Sequence, residues 1–373
     1  MIDGALLNAR MKGLTCFACG AAHDPRVLQS VCTRCGMPLR VDYDVRPFQV
    51  EAEPSLWRYA AMLPIDRAEA VTLAEGWTPL LEVGRRLFVK DESRNPTGSF
   101  KARGMSLAVS MARALGAKAL TAPSAGNAAG ALAAYGAAAR LPVTVAMPQD
   151  TPRVFVEECR HYGASVHLVE GTIADAGGWL KANGPRDAFD VSTLKEPYRI
   201  EGKKTMAYEL YEQLEKKLPD AIIYPTGGGT GLIGMWKAFD EMQAMGLMGR
   251  ERPRLVSVQA EGCAPIVKAF EEGAARTEPW PDACTEAYGL RVPSPIGGFL
   301  CLRALRETKG TALAVAEKEI VPAAEELSRE TGIDICPESG AAWAAAQRLY
   351  ASGWLQRAET VVVFNTGTGL KYR

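Results

Sequence analysis

From about residue 86 onward the apolar residues follow two alternating rhythms. Short runs rich in β-branched and aromatic residues predict strands: RLFVK (86–90), AKALTA (117–122), PVTVAM (142–147), SVHLVE (165–170), AIIYP (221–225), RLVSVQA (254–260) and TVVVFN (360–365). Between them, apolar residues recur at helical spacing and predict helices from Lys101 to Leu115, Ala128 to Arg140, Gly202 to Lys217, Leu232 to Met245 and Gly340 to Ala351. Strands separated by helices imply parallel sheets covered on both faces, and the number of units suits two such sheets. No internal repeat or low-complexity segment interrupts this α/β pattern.

The first 40 residues follow neither rhythm. Residues 14–36 read LTCFACGAAHDPRVLQSVCTRCG, with Cys16 and Cys19 as one pair, Cys32 and Cys35 as another, and twelve residues between the pairs. A C-x-x-C turn aims two thiolates at one point, and two such turns complete the tetrahedral shell preferred by structural zinc. A small four-cysteine zinc ribbon is therefore expected; four unligated thiols or a redox pair is the plainer alternative. His23 lies nearby, but four thiolates already satisfy a metal. A polar, proline-containing connector from Val41 to Pro54 joins this segment to the α/β body.

At 373 residues the chain is long enough for two or three domains. Lysine plus arginine and aspartate plus glutamate both total 43, which removes any global attraction to nucleic acid or to an anionic membrane. No stretch holds about 20 apolar residues without a charge or proline, and Met1 to Lys12 lack a secretory pattern, so a cytoplasmic protein is expected. The five cysteines beyond the ribbon are scattered, which suits reduced thiols rather than a disulfide framework.

Three loops carry candidate chemistry. In KDESRNPTGSFKARG (90–104) a strand runs through Asn95-Pro96-Thr97-Gly98 into a helix whose first turn holds Lys101. Exposed N–H groups and the helix dipole there disfavour an added positive charge, favouring the neutral amine that attacks an aldehyde. A lysine in a helix is ordinarily a solvated surface charge, so its neighbours decide. In APSAGNAAG (122–130), Ser124, Ala125, Gly126 and Asn127 form a small-residue loop at a helix start, a nest suited to a carboxylate or simply a serine cap. In YPTGGGTGLIG (224–234), glycines between strand and helix let backbone N–H groups wrap a phosphate.

Gly229, Gly231 and Gly234 formally match the dinucleotide fingerprint G-x-G-x-x-G. That fingerprint usually follows the first strand of its fold, whereas several units precede it here, and Glu261 meets the expected acidic position only loosely. No P-loop sequence is present, and three histidines leave little room for a histidine-based hydrolase.

Taken together, PTGSFKARG, the SAGN loop, PTGGGTG and the C-terminal FNTGTGLK (364–371) resemble the fold-type II pyridoxal-phosphate (PLP) family, in the same order over nearly the whole chain. Within it, the C-x-x-C ribbon, LWRYAAMLP (56–64), GWTPL (76–80) and PYRIEGKKT (197–205) look most like the threonine synthase branch. The resemblance implies that Lys101 holds PLP covalently, that Asn127 bonds the ring hydroxyl, and that Gly227, Gly228, Gly229, Thr230 and Gly231 bind the cofactor phosphate. Thr366 would face the pyridine nitrogen, where a neutral hydroxyl, unlike a carboxylate, does not hold that nitrogen protonated. Ser124, Ala125 and Gly126 would receive the substrate carboxylate with Thr78 nearby, and Arg199 with Lys195 would meet a substrate phosphate.

The implied reaction converts O-phospho-L-homoserine and water to L-threonine and phosphate, with Lys101 moving the protons. Two positions depart from the branch: Ala102 stands where many members carry an aspartate, and 191–199 reads VSTLKEPYR where many carry an Asn-Ser pair. A PLP-dependent dehydratase or β-replacement enzyme shares the three loops and needs no substrate-phosphate site. A non-catalytic protein whose ribbon reads nucleic acid is disfavoured by the intact Lys101 and by the few basic residues there (Arg26, Arg34, Arg40). The implied organisation is a ribbon at 1–45, a large PLP-binding domain at 46–104 and 196–373, and a small α/β domain at 105–195, in a homodimer acting on a small amino acid.

Overall fold

The fold is described from a computed structural model, which covers residues 7–373. In chain order the strands are β1 (Met11–Cys16), β2 (Ala22–His23), β3 (Leu39–Tyr43), β4 (Leu80–Gly84), β5 (Leu87–Asp91), β6 (Ala119–Pro123), β7 (Val143–Pro148), β8 (Ser165–Val169), β9 (Ala188–Asp190), β10 (Ala221–Pro225), β11 (Arg254–Ala260), β12 (Thr311–Val315) and β13 (Val361–Asn365). The α-helices are α1 (Lys101–Ala114), α2 (Asn127–Ala139), α3 (Arg153–His161), α4 (Ile173–Asn183), α5 (Arg199–Gln213), α6 (Thr230–Ala244), α7 (Pro265–Glu271), α8 (Gly298–Glu307), α9 (Glu317–Thr331) and α10 (Pro337–Ala351).

The chain divides into two compact units. One takes the chain up to Trp77 together with Asn95–Thr97 and Lys101–Lys203; the other takes Thr78–Arg94, Gly98–Phe100 and Lys204–Arg373.

The first unit contains two sheets. A four-stranded parallel sheet in the order β8-β7-β6-β9 follows from the strand–helix alternation of 117–190. Its core joins Leu120, Val145 and Phe189 to Ala108 of α1 and Leu132 of α2. Close approach is built into α2: a Cβ on Gly136 would lie 2.2 Å from Val143 Cγ2, so any larger residue at this position would have to displace Val143. The second sheet, β2-β1-β3, is antiparallel and carries the cysteines. It is too small for a core of its own and shares one with Trp57, Met62 and Ile65 and with Leu107 and Met111 of α1. Tyr43 Oη also donates to Glu201 Oε2 at 2.8 Å, and Ser30 Oγ to the carbonyl of Lys195 at 2.7 Å.

The second unit is built on a six-stranded sheet in the order β12-β11-β10-β13-β5-β4. It is parallel except at one edge, where β4 runs antiparallel to β5 through a register shift. The expectation of wholly parallel pairing thus holds for the crossovers and fails for this hairpin, whose two strands need no crossover helix. Strand β10 lies between β11 and β13 and is buried at all five positions; on one face Ala221 and Ile223 share a core with Ala341 and Ala345 of α10. Fully burying each of its isoleucines contributes roughly 1.5–3 kcal/mol, so a single Ile223→Ala change would cost about 2–5 kcal/mol. Among the described residues no helix is long and apolar enough to cross a membrane.

Candidate active site

In the first unit, α1 starts at Lys101, whose side chain is half-buried, and Ala102 to Ala112 behind it are all buried. The lysine is thus fixed at the end of a helix that cannot rotate without unpacking its core. The residues just before it belong to the second unit and are pinned there: Phe100 N–H donates to the carbonyl of Thr366 at 3.1 Å, and Thr368 N–H to that of Gly98 at 2.8 Å. Thr97 and Gly98 adopt φ of 59° and 64°, the turn that makes this pairing possible.

The SAGN loop follows β6 directly. Ser124 N–H donates to Ala146 O at 3.1 Å, and the extended Gly126 precedes α2 without any side-chain cap. A Cβ on Gly126 would meet nothing within 4 Å. The first turn of α2, with Asn127 at its head, therefore offers N–H donors beside open space, which suits an anion.

Arg199 opens α5 and is buried, 2% exposed. Its Nη1 donates to Val191 O at 3.0 Å and, at the outer limit of a bond, to Thr193 Oγ1 at 3.4 Å; its Nε is buried without a partner. Burial lowers its pKa, only partly offset by Glu196 and Asp190. Glu196, also buried, accepts from the N–H groups of Tyr198 and Arg199. Burial pushes its carboxyl up to about 7 against the pull of Arg199. Lys195, by contrast, is exposed and faces Asp190 at 3.4 Å.

In the second unit, the glycine loop runs from Pro225 to α6. Gly229 takes φ of 81°, and no side chain caps the helix it opens. Three contacts require glycine: a Cβ would lie 2.2 Å from Gly289 O at Gly227, 2.2 Å from Cys301 Sγ at Gly229 and 2.0 Å from Tyr224 Oη at Gly231. Gly228 is the partly exposed member, and Thr230 is buried. Phe100, Tyr224 and Phe364 stack edge to face, with centroids 5.9 and 5.1 Å apart, and so tie this loop to the strands beside it. Thr366 is nearly buried; Ser339 Oγ accepts from its N–H at 2.9 Å, and Cys336 Sγ lies 3.7 Å from its hydroxyl. Burial raises the Cys336 thiol far above its usual range, so both groups behind the threonine are neutral.

Thr78 is buried, and its hydroxyl donates to Glu92 Oε1 at 2.6 Å. Its carbonyl receives Lys90 Nζ at 2.7 Å and Gln213 Nε2 at 2.9 Å. Sequence reasoning missed this lysine, although FVKDE, with charges running on from a strand, was its signal. It also missed Cys336 and Ser339 behind Thr366, for which no local motif exists.

The four N-terminal cysteines converge. All four sulfurs lie within 4.8 Å of one another, with Cys16–Cys35 and Cys19–Cys35 at 3.5 Å and Cys19–Cys32 at 3.7 Å. Knuckle N–H groups of Ala18, Cys19 and Arg34 point at the sulfurs of Cys16 and Cys32. Thiols this close cannot all ionise without a cation. A backbone bond from Met37 lowers the Cys35 pKa, yet desolvation and the three neighbouring thiols push it up to about 12. His23 Nε2 lies 3.3 Å from Cys32 Sγ.

Residues 71–367 match the model of the pyridoxal-phosphate dependent enzyme family. The chain belongs to that family. The match includes Lys101, the SAGN loop, the glycine loop and Thr366, and it excludes the cysteine segment. The residues suit the cofactor: α6 offers uncapped N–H groups for a phosphate, and Thr366 offers a neutral hydroxyl for a ring nitrogen. Threonine synthase of Methanosarcina acetivorans is 36% identical over 97% of this chain and 92% of its own length. That of Methanocaldococcus jannaschii is 34% identical over 95% and 92%. Among solved structures, maize serine racemase superposes with a TM-score of 0.65 at 22% identity, covering 78% of this chain and 88% of that one, a likeness of fold.

Proposed function

We propose that the protein is a threonine synthase, a PLP-dependent lyase that converts O-phospho-L-homoserine and water to L-threonine and phosphate. The observation that carries this reading is the similarity to threonine synthases over 97% of the chain, which takes in the cysteine segment and residues 191–199 as well as the cofactor loops. Arg199 supports it, because a buried guanidinium with an unpartnered Nε and no ion pair among the described residues has unspent capacity for an anion.

In this reading Lys101 holds the cofactor, Asn127 bonds its ring hydroxyl, Gly227 to Gly231 enclose its phosphate, and Thr366 meets its ring nitrogen. When bound, PLP supplies the electron sink for charge developing at the substrate carbons. Ser124 to Gly126 orient the substrate carboxylate, and Thr78 is assigned to the same substrate. Arg199, assisted by Lys195, holds the substrate phosphate that departs from Cγ. The amine of Lys101, neutral once released, would take the Cα proton, pass it on and then take one from Cβ; phosphate leaves Cγ with the electrons of its C–O bond, a proton is delivered to Cγ, and water adds its oxygen at Cβ as Cα regains a proton.

Cys16, Cys19, Cys32 and Cys35 would hold one structural zinc, which matches their sulfur spacing and knuckle hydrogen bonds. The same reading keeps the functional division into a ribbon (1–45), a large PLP-binding domain (46–104 with 196–373) and a small domain (105–195). It takes the protein to be a cytoplasmic homodimer with no nucleic-acid or membrane partner, in keeping with the balanced charge.

The test incubates PLP-loaded protein with O-phospho-L-homoserine and quantifies phosphate and threonine, with L-threonine and L-serine run in parallel for 2-oxo-acid formation. Equal phosphate and threonine are expected. A 2-oxo acid from either hydroxy amino acid, with no phosphate released, would move the protein to the dehydratases.

A further inference from the structure

The floor of the glycine loop is not formed by the loop alone. A Cβ on Gly227 would lie 2.2 Å from the carbonyl oxygen of Gly289 and 3.0 Å from Val292 Cγ2, so the segment around Tyr288–Leu290 is pressed directly against the loop's first glycine. That segment is held from its other side by Glu338. Gly289 N–H donates to Glu338 Oε1 at 2.7 Å, and a Cβ on Gly289 would lie 2.7 Å from the same oxygen. Tyr372, next to the last residue of the chain, donates its hydroxyl to that oxygen at 2.7 Å and stacks on Tyr288 with centroids 6.3 Å apart.

Glu338 is 5% exposed and lies in the first turn of α10, where the helix N-terminus favours a fixed negative charge. A carboxylate with two donors on one oxygen and its second oxygen buried without a partner is a costly group to keep. It fixes Gly289 and Tyr372, and its charge also helps keep the neighbouring Cys336 thiol neutral. Sequence reading gave no sign of this clasp, since its members lie in three separate segments.

Building on the assignment of Gly227 to Gly231 to the cofactor phosphate, we propose that Glu338 and Tyr372 are positioning residues for phosphate recognition. They hold the Gly289 backbone against Gly227 and so keep the loop's N–H groups converged on one anion. Neither is itself assigned to the cofactor. The consequence is selective: loosening the clasp weakens the hold on the phosphate and leaves the aldehyde-directed chemistry of Lys101 intact.

The experiment titrates apoprotein with pyridoxal 5′-phosphate and, separately, with pyridoxal, for wild type, Glu338→Ala, Glu338→Gln and Tyr372→Phe, and records the melting temperature of each apo form. Wild type should bind the phosphorylated form far more tightly than pyridoxal. Glu338→Ala should weaken binding of the phosphorylated form by about tenfold or more, the usual scale of losing a hydrogen bond to a charged group, while changing pyridoxal binding less than about twofold. Glu338→Gln, which keeps an acceptor oxygen, should recover most of the loss, and Tyr372→Phe should show a smaller one.

Equal weakening toward both ligands, or a lowered apo melting temperature with unchanged affinity for the phosphorylated form, would make Glu338 a structural residue and overturn the proposal. If Glu338→Ala does not fold, Glu338→Gln and Tyr372→Phe decide the matter, and unaltered discrimination in Tyr372→Phe together with impaired discrimination in Glu338→Gln would also overturn it. A wild type that shows no preference for the phosphorylated form would instead sink the assignment of the glycine loop itself.

Discussion

Lys90 Nζ lies 2.8 Å from the carboxylate of Glu209, and neither side chain has any exposed surface. The ammonium also reaches Thr78 O and Gln213 Oε1, so all three of its protons are used inside the second unit. Removing one partner strands the other: Lys90→Ala should cost about 3–5 kcal/mol in urea unfolding, whereas Lys90→Met with Glu209→Leu should cost markedly less. A double variant as unstable as Lys90→Ala would show that packing, not the stranded charge, sets the loss.

Gly231→Ala would drive a methyl group to within 2.0 Å of Tyr224 Oη. Overpacking of this kind costs typically about 1–3 kcal/mol, and here the backbone that must shift belongs to the glycine loop proposed for the cofactor phosphate. The variant should therefore lose affinity for PLP out of proportion to its loss of stability, a comparison made by cofactor titration beside thermal unfolding.

Two buried glutamates should give the stability–pH curve opposite slopes. Glu196 titrates near 7 in the folded protein, above its ordinary 4.5, because burial outweighs Arg199 and the N–H groups of Tyr198 and Arg199. Its contribution is complete below about pH 4.5 and is lost as pH rises through about 7, an amount on the order of 3 kcal/mol. Glu241 goes the other way: burial raises it, but Lys204 and Lys237 outweigh burial and bring it down to about 2. That contribution is present above about pH 4.5 and is lost as pH falls toward 2. Urea unfolding of Glu196→Gln between about pH 5 and 7 should show a flatter profile than wild type; an unchanged slope would remove Glu196 as its source.

Freshly made, unchelated protein should contain about one metal ion per chain, and chelation should lower its melting temperature. Elemental analysis gives the first result and thermal unfolding with a chelator the second. Because the cysteine sheet shares its core with Trp57 and with Leu107 and Met111 of α1, the loss should spread into the first unit rather than stay local. Metal-free protein of undiminished stability would leave four ordinary thiols.

Every strand that the apolar rhythm predicts is present within two residues of its expected start, because β-branched runs such as AIIYP have no competing helical pattern. Helix starts were less legible. The periodicity places α5 from Gly202 and α10 from Gly340, whereas they begin at Arg199 and Pro337. The first is set by Glu196, whose side chain accepts the leading N–H groups in a role usually taken by Ser, Thr, Asp or Asn. The second is set by proline at the first helical turn.

The hairpin edge strand β4 carries too weak an alternation to stand out, and α9 contains Pro322, which argues against a helix on local grounds. In the candidate site the small-residue loops were readable because glycine and serine at strand ends leave a local signature. Lys90 with Glu209, and Glu338 with Gly289, were not, since the residues that meet are far apart in the chain and share no pattern.

The pairing of Gly98 and Phe100 with Thr366 and Thr368 joins residues from opposite ends of the α/β body. Until the segment that follows β13 has been synthesised, the backbone bonds that join Gly98 and Phe100 to Thr368 and Thr366 cannot form. A chain released before its last ten residues would therefore lack the backbone pairing that holds the turn ahead of Lys101, which makes completion of this turn a late event in the life of the nascent protein.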